Sequence, residues 1–164
     1  MPIDPAETLY YRRARFSTRL PRNRLYTGAH YWLQRIEAGL WRVGLTRFAT
    51  RMLGDLVEYR FHPQVGQHVQ IGQSIGWIEG FKAVSDVFCA VTGEFTQANP
   101  QLERNTTLLD NAPYDRGWLY EVRGEPGSDC LEVQGYINLL DATIDRMLHE
   151  TNEGGPACPV PGTS

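Results

Sequence analysis

Short apolar segments separated by turn residues dominate positions 27–123 of the chain. Apolar residues at 31–33 and 40–44 flank the turn sequence Glu37-Ala38-Gly39, which predicts a β-hairpin. Further strands are predicted over residues 56–61, 75–79, 84–91, 93–98 and 118–122. Many short strands at this regular spacing are typical of a β-sandwich or barrel. We therefore expect a mainly β fold.

Two helices interrupt this pattern. Thr46 is a good N-cap for a short helix with Phe48, Ala49, Met52 and Leu53 on its apolar face, and Gly54 would end it. A second helix is predicted after the break at Gly124, Pro126 and Gly127. Its apolar residues recur at helical spacing and should cover the sheet: Ile137, Leu140, Ile144, Met147 and Leu148.

The two ends of the chain differ from this pattern. Residues 1–26 form a basic N-terminal extension that we expect to be partly helical, with Asp4 as N-cap and Pro21 as the stop. Leu9, Phe16 and Leu20 would give this helix a thin apolar stripe. Its arginines either bind an acidic partner surface or form a solvated helix face. Residues 151–164 are rich in Gly and Pro, which predicts a flexible tail.

Composition excludes several classes of function. A net charge of -3 argues against a dedicated nucleic-acid binder, and the chain lacks an apolar run long enough to span a membrane. The three cysteines (Cys89, Cys130 and Cys158) form no CxxC pair, and the histidines show no paired spacing, so no metal site is expected. No nucleophile–base pair or phosphate loop indicates an enzyme.

The distribution of basic residues is more informative. The chain has 15 arginines and a single lysine, Lys82, which lies in the turn Glu79-Gly80-Phe81-Lys82-Ala83 between two predicted strands. A rigid hairpin would present this amine to a modifying enzyme in a fixed orientation. Acylation would then remove its charge. The alternative is an ordinary polar turn residue.

Six ordered motifs carry a resemblance to a known family. They are His30-Tyr31-Trp32, Val43-Gly44-Leu45-Thr46, Leu53-Gly54-Asp55-Leu56-Val57, Glu79-Gly80-Phe81-Lys82-Ala83-Val84-Ser85-Asp86, Gly93-Glu94 and Pro113-Tyr114-Asp115-Arg116-Gly117-Trp118-Leu119. In this order and at this spacing they make the chain resemble the H proteins of the glycine cleavage system. Each motif alone would be a weak signal.

The resemblance implies a barrel-sandwich hybrid fold over residues 27–150 and lipoic acid in amide linkage to Lys82. Glu79, Gly80, Phe81, Ala83 and Asp86 would form the hairpin that presents the lysine. His30 would either contact the lipoyl arm or form a hydrogen bond in the core. The family has Ser-Val where this chain has Gly80-Phe81, and we expect the glycine to loosen the turn.

The family also implies a function. Its members are carriers without turnover of their own, which shuttle the aminomethyl group of glycine on the lipoyl arm. The partners are a PLP-dependent glycine decarboxylase, a tetrahydrofolate-dependent aminomethyltransferase and a flavin-containing dihydrolipoyl dehydrogenase. A lipoate ligase or lipoyl transferase attaches the arm. The bacterial cytoplasm is the expected location, with the mitochondrial matrix as the alternative. Two other interpretations stay open: an H-like carrier for sulfur oxidation or lipoyl relay, and an unmodified interaction module.

Overall fold

The computed structural model describes residues 3–154, and these residues form eleven strands and four α-helices. The strands are β1 (Thr8–Arg13), β2 (Phe16–Pro21), β3 (Leu25–Tyr26), β4 (Tyr31–Glu37), β5 (Leu40–Leu45), β6 (Leu56–Phe61), β7 (His68–Val69), β8 (Ser74–Gly80), β9 (Val84–Phe88), β10 (Val91–Ala98) and β11 (Tyr120–Pro126). The helices are α1 (Arg47–Leu53), α2 (Pro100–Arg104), α3 (Leu108–Asn111) and α4 (Val133–Gly154).

Two sheets form the body of the molecule. One has six strands in the order β3-β4-β5-β11-β10-β7, and the other has three in the order β6-β8-β9. Buried side chains of both sheets belong to one core cluster, which includes Leu33, Val43, Ile78 and Val87. The mainly β fold is confirmed. The predicted strand over 84–91 is in fact two strands, because the chain passes from one sheet to the other at Cys89.

The short helix α1 forms as its sequence predicts. The Thr46 side chain accepts a hydrogen bond from the Ala49 amide, and Gly54 ends the helix at a φ of 81°. Helices α2 and α3 were not predicted, although Asn99 caps α2 and Pro100 occupies its first turn.

The predicted N-terminal helix is wrong. Asp4 caps only a 3-10 turn over Pro5–Glu7, and the chain then forms the β1–β2 hairpin, in which Arg13 pairs with Phe16. The inward face of this hairpin carries the buried side chains of Tyr11, Phe16 and Leu20, whereas Tyr10, Arg12, Ser17 and Arg19 point outwards. This alternation has the period of a strand, and Thr, Tyr and Phe favour strands.

The C-terminal helix is confirmed, but its predicted end and its predicted face are only partly right. It continues past residue 150 to Gly154, so residues 151–154 are helical and do not belong to a flexible tail. Leu140 and Ile144 are buried, whereas Met147 and Leu148 are exposed. The rest of the predicted tail, including Cys158, lies outside the described residues. Cys89 is buried and Cys130 is half-buried.

A second core cluster joins the N-terminal hairpin to the helices. It contains the hairpin residues Tyr11, Phe16 and Leu20 together with Phe48 of α1 and Tyr136, Leu140 and Ile144 of α4. The basic extension is therefore packed into the fold by apolar contacts.

Candidate functional site

The β8–β9 hairpin presents Lys82 at its tip. Glu79 pairs with Val84, and the Gly80 amide donates to the Ala83 carbonyl at 2.9 Å, which closes the turn. Lys82 is exposed, and the neighbouring Phe81 has 81% of its surface accessible. The turn thus places one amine and one aromatic ring in solvent.

The tip of this hairpin rests on the end of helix α1. The Lys82 amide donates to the Leu53 carbonyl at 2.9 Å, and the Phe81 amide donates to the Asp55 carbonyl at 3.0 Å. Gly54 lies so close to the lysine that a Cβ there would be 2.9 Å from Lys82 Cγ. Two motifs that are far apart in sequence therefore act together, because one supports the backbone of the other.

Gly80 is the point of closest approach between the hairpin and the helix. A Cβ at this position would lie 2.3 Å from the Leu53 carbonyl oxygen. The expectation that Gly80 loosens the turn is wrong: the glycine is buried, and its missing side chain lets the turn pack tightly against the helix.

The Lys82 side chain forms one hydrogen bond in this structure, from Nζ to the Arg51 carbonyl at 3.2 Å. That carbonyl lies in the last turn of α1, where backbone oxygens lack partners within the helix and favour a cation. The unmodified amine is therefore held weakly at the surface and stays accessible.

A mainly apolar cavity of about 210 Å³ lies beside the hairpin. Ala83, the residue after Lys82, is part of its wall, whereas Lys82 itself lines a separate cavity with Arg51, Gly54 and Phe81. Its lining comes from the segment that enters β4, from the end of β5, from α1 and from the β8–β9 hairpin with its turn: Ala29, His30, Tyr31, Leu45, Phe48, Ala49, Met52, Leu53, Ile78, Ala83, Ser85, Asp86 and Val87.

His30 connects this cavity to the core. Its Nδ1 shares a hydrogen bond with the Tyr136 hydroxyl at 2.8 Å, and that hydroxyl is also 2.8 Å from Thr46 Oγ1. Its ring lies 4.7 Å from the Phe48 ring. Burial lowers the pKa of His30 to about 4, so the imidazole is neutral near pH 7. The two interpretations of His30 do not exclude each other, since it forms a core hydrogen bond and also lines the cavity.

The structure separates the other predicted site residues. Asp86 is exposed and lines the cavity, whereas Glu79 is half-buried on the opposite strand. Sequence analysis missed Met52 as a wall residue because it assigned the whole apolar face of α1 to the core; in the fold Met52 is 47% exposed. It also missed Tyr136, for which the sequence offers no signal beyond helical spacing.

An exposed lysine on a supported hairpin, in a fold of two sheets, is the arrangement expected of a carrier domain. Comparison with known proteins identifies the family to which it belongs. The family model described as "Glycine cleavage H-protein" matches residues 24–140. The chain therefore belongs to the glycine cleavage H-protein family.

Individual relatives agree with this assignment. A glycine cleavage system H protein of Kocuria rhizophila is 41% identical over 128 residues, which is 76% of this chain and 99% of that protein. One from Corynebacterium jeikeium is 38% identical over 122 residues, or 73% of this chain and 95% of the other. The crystal structure of a glycine cleavage system H protein from Mycobacterium marinum matches with a TM-score of 0.67 at 31% identity, covering 74% and 99% of the two chains.

None of the helices within residues 3–154 is long and apolar enough to cross a lipid bilayer.

Proposed function

We propose that this chain carries lipoic acid in amide linkage to Lys82 and shuttles the aminomethyl group of glycine on that arm. The observation that carries the proposal is the position of the single lysine of the chain at the tip of a hairpin that rests on the end of α1. An amide requires a nucleophilic amine, which the always-protonated guanidinium of the 15 arginines cannot supply.

The residues around Lys82 fit a lipoyl group. Hydrogen bonds from the backbone of Phe81 and Lys82 fix the tip, and the side chain projects into solvent. Acylation removes the charge that Nζ now presents to the Arg51 carbonyl, which frees the arm from the helix end. The lipoyl group supplies the disulfide chemistry, and the protein supplies presentation and environment.

The cavity beside Ala83 is the proposed resting place of the arm. Its apolar wall suits an aliphatic chain, and the neutral imidazole of His30 adds no charge to it. Asp86 stands in the lining and is the acidic group available to a cationic aminomethyl group. The protein would thus shield the loaded arm from water between partners, without catalysing a reaction itself.

The surface around the lysine fits contact with partner enzymes. Four exposed apolar side chains lie on α1, β6 and the hairpin: Met52, Val57, Phe81 and Val84. The enzymes that bind this surface, one at a time, are the glycine decarboxylase, the aminomethyltransferase, the dihydrolipoyl dehydrogenase and the lipoate ligase or lipoyl transferase. The proposal places the protein in the bacterial cytoplasm, with neither nucleic acid nor a membrane as partner.

The test has two stages. The full chain, produced with lipoate and a lipoate ligase, should gain the mass of one lipoyl group on Lys82, whereas Lys82→Arg should gain none. The lipoylated chain should then support glycine–bicarbonate exchange by a glycine decarboxylase. An unmodified wild-type chain would refute the carrier role. A lipoylated chain without exchange would instead indicate a carrier for another pathway.

A further inference from the structure

The N-terminal hairpin and the last turns of α4 both lie outside the residues matched by the family model, and they bind each other. The Tyr11 hydroxyl donates to Asp141 at 2.8 Å. The Arg13 guanidinium donates two hydrogen bonds of 2.8 Å to the carboxylate of Asp145. Such a bidentate pair fixes orientation as well as distance. The hairpin is therefore attached to the helix at a defined position.

The inward face of the hairpin reaches the cavity beside Ala83 through one intermediate ring. Phe16 packs edge-on against Phe48, with ring centroids 5.5 Å apart and an interplanar angle of 87°. Phe48 in turn contacts His30 at 4.7 Å, and both of these rings line the cavity. Phe16 is 9% exposed and packs on Phe48 without itself lining the cavity.

We propose that the N-terminal hairpin, residues 8–21, is a clamp that holds Phe48 and His30 in place as the inner wall of the cavity and so retains the loaded arm. This inference rests on the proposed function. Without Phe16, the Phe48 ring would lose this edge-on contact. The ring could then move back, the wall would loosen, and water would reach the arm.

The placement of the arginines favours a clamp over a docking element for an acidic partner. Arg13 is bound to Asp145, and Arg24 is buried with its guanidinium 4.4 Å from the Trp32 ring. Arg22 donates to the Thr8 carbonyl. Arg19 donates to Thr8 Oγ1 at 3.3 Å. Four of the six arginines that make the extension basic thus form contacts within the molecule.

The experiment uses the full lipoylated chain, loaded with the aminomethyl group by a glycine decarboxylase and glycine and then freed of that enzyme. Spontaneous hydrolysis consumes one water and releases formaldehyde and ammonium, which returns the arm sulfur to a thiol. Formaldehyde release measures how well the arm is retained. We expect Phe16→Ala to accelerate release about fivefold, equivalent to about 1 kcal/mol of arm binding. Phe16→Leu should restore most of the retention.

Tyr10→Ala is the matched control, since Tyr10 lies on the same hairpin but is 55% exposed on its outer face. It should release formaldehyde at the wild-type rate. In the unmodified chain, NMR titration of His30 gives a readout that needs no arm. Phe16→Ala should raise its pKa from about 4 towards the ordinary value of 6.5, because water enters behind Phe48.

Arg13→Gln provides a second variant that keeps the apolar packing if Phe16→Ala does not fold. Arg13→Gln should also accelerate formaldehyde release, but by less than Phe16→Ala does. Equal release rates for wild type, Phe16→Ala and Arg13→Gln would overturn the clamp. Failure of Lys82 to accept lipoate would instead refute the proposed function, and intact mass separates these two outcomes before loading begins.

Discussion

Replacement of Gly80 by alanine tests whether the lysine hairpin depends on its contact with helix α1. The new Cβ would lie 2.3 Å from the Leu53 carbonyl oxygen and 2.8 Å from that of Gly54. Both are backbone atoms, so no side chain can turn aside to make room. The clash is relieved only if the tip of the hairpin moves away from the end of the helix. That movement breaks the hydrogen bond from the Lys82 amide to Leu53 and the one from the Phe81 amide to Asp55.

The cost follows from this geometry. Inserting a methyl group into a closely packed site costs about 1–3 kcal/mol when the backbone must shift. A loss of about 2 kcal/mol lowers the Tm of a domain of this size by roughly 4–8 °C. The displaced tip should also slow modification, because the ligase would meet Lys82 in an altered orientation.

The assay compares Gly80→Ala with Gly28→Ala by thermal unfolding and by the rate of lipoylation. Gly28 is a matched control, because its added Cβ would meet only Leu139 Cδ1 at 3.7 Å, an ordinary contact. The control should behave as wild type in both measurements. If Gly80→Ala matched the control in Tm and in lipoylation rate, the role of the close approach would be refuted.

Three further predictions concern the same region. Gly54 and Gly39 both have left-handed φ angles (81° and 78°), but only at Gly54 would an added Cβ meet Lys82. Gly54→Ala should therefore lower the free energy of unfolding in urea more than Gly39→Ala does, and equal losses would show that the contact is unimportant. The pKa of His30 is lowered to about 4, so the unfolded chain takes up its proton first as the pH falls from about 6.5. Stability should decline by up to about 3 kcal/mol towards pH 4 in wild type but less in His30→Asn, and identical pH profiles would contradict this. Lys82→Arg should leave the denaturation midpoint unchanged, since the side chain is exposed; a marked shift would mean that the bond to Arg51 stabilises the fold.

The parts of the fold that were predictable are those with a strong local signal. The β4–β5 hairpin has a glycine turn between apolar segments, and α1 has a threonine cap and a glycine stop. The lysine hairpin was found for the same reason. In these segments the local sequence and the tertiary packing favour the same structure.

The N-terminal hairpin was missed because its turn carries no glycine. Ala14 adopts a φ of 54°, which a non-glycine residue seldom adopts, and the Asp4-Pro5 pair gave a convincing helix start. The alternation of buried and exposed residues and the contacts with α1 and α4 favour the strand pair over a helix. Local propensity is a weak guide where tertiary packing decides.

The candidate site was only half predictable for a similar reason. The residues of the lysine turn are adjacent in sequence, whereas the cavity brings together residues from 29 to 87. Tyr136 contributes from still further along the chain, through its hydrogen bond to His30. No spacing rule connects these positions, because the fold alone brings them together.

The pair between Arg13 and Asp145 also has a consequence for the order of folding. These residues are 132 positions apart, so their contact closes almost the whole described chain into one loop. The entropic cost of closing a loop grows with its length, and contacts of this range form late unless intervening structure first brings their ends together. The two sheets and α4 should therefore assemble before the hairpin attaches. On unfolding, the hairpin should detach first, and its departure would uncover the apolar cluster that it shares with α1 and α4.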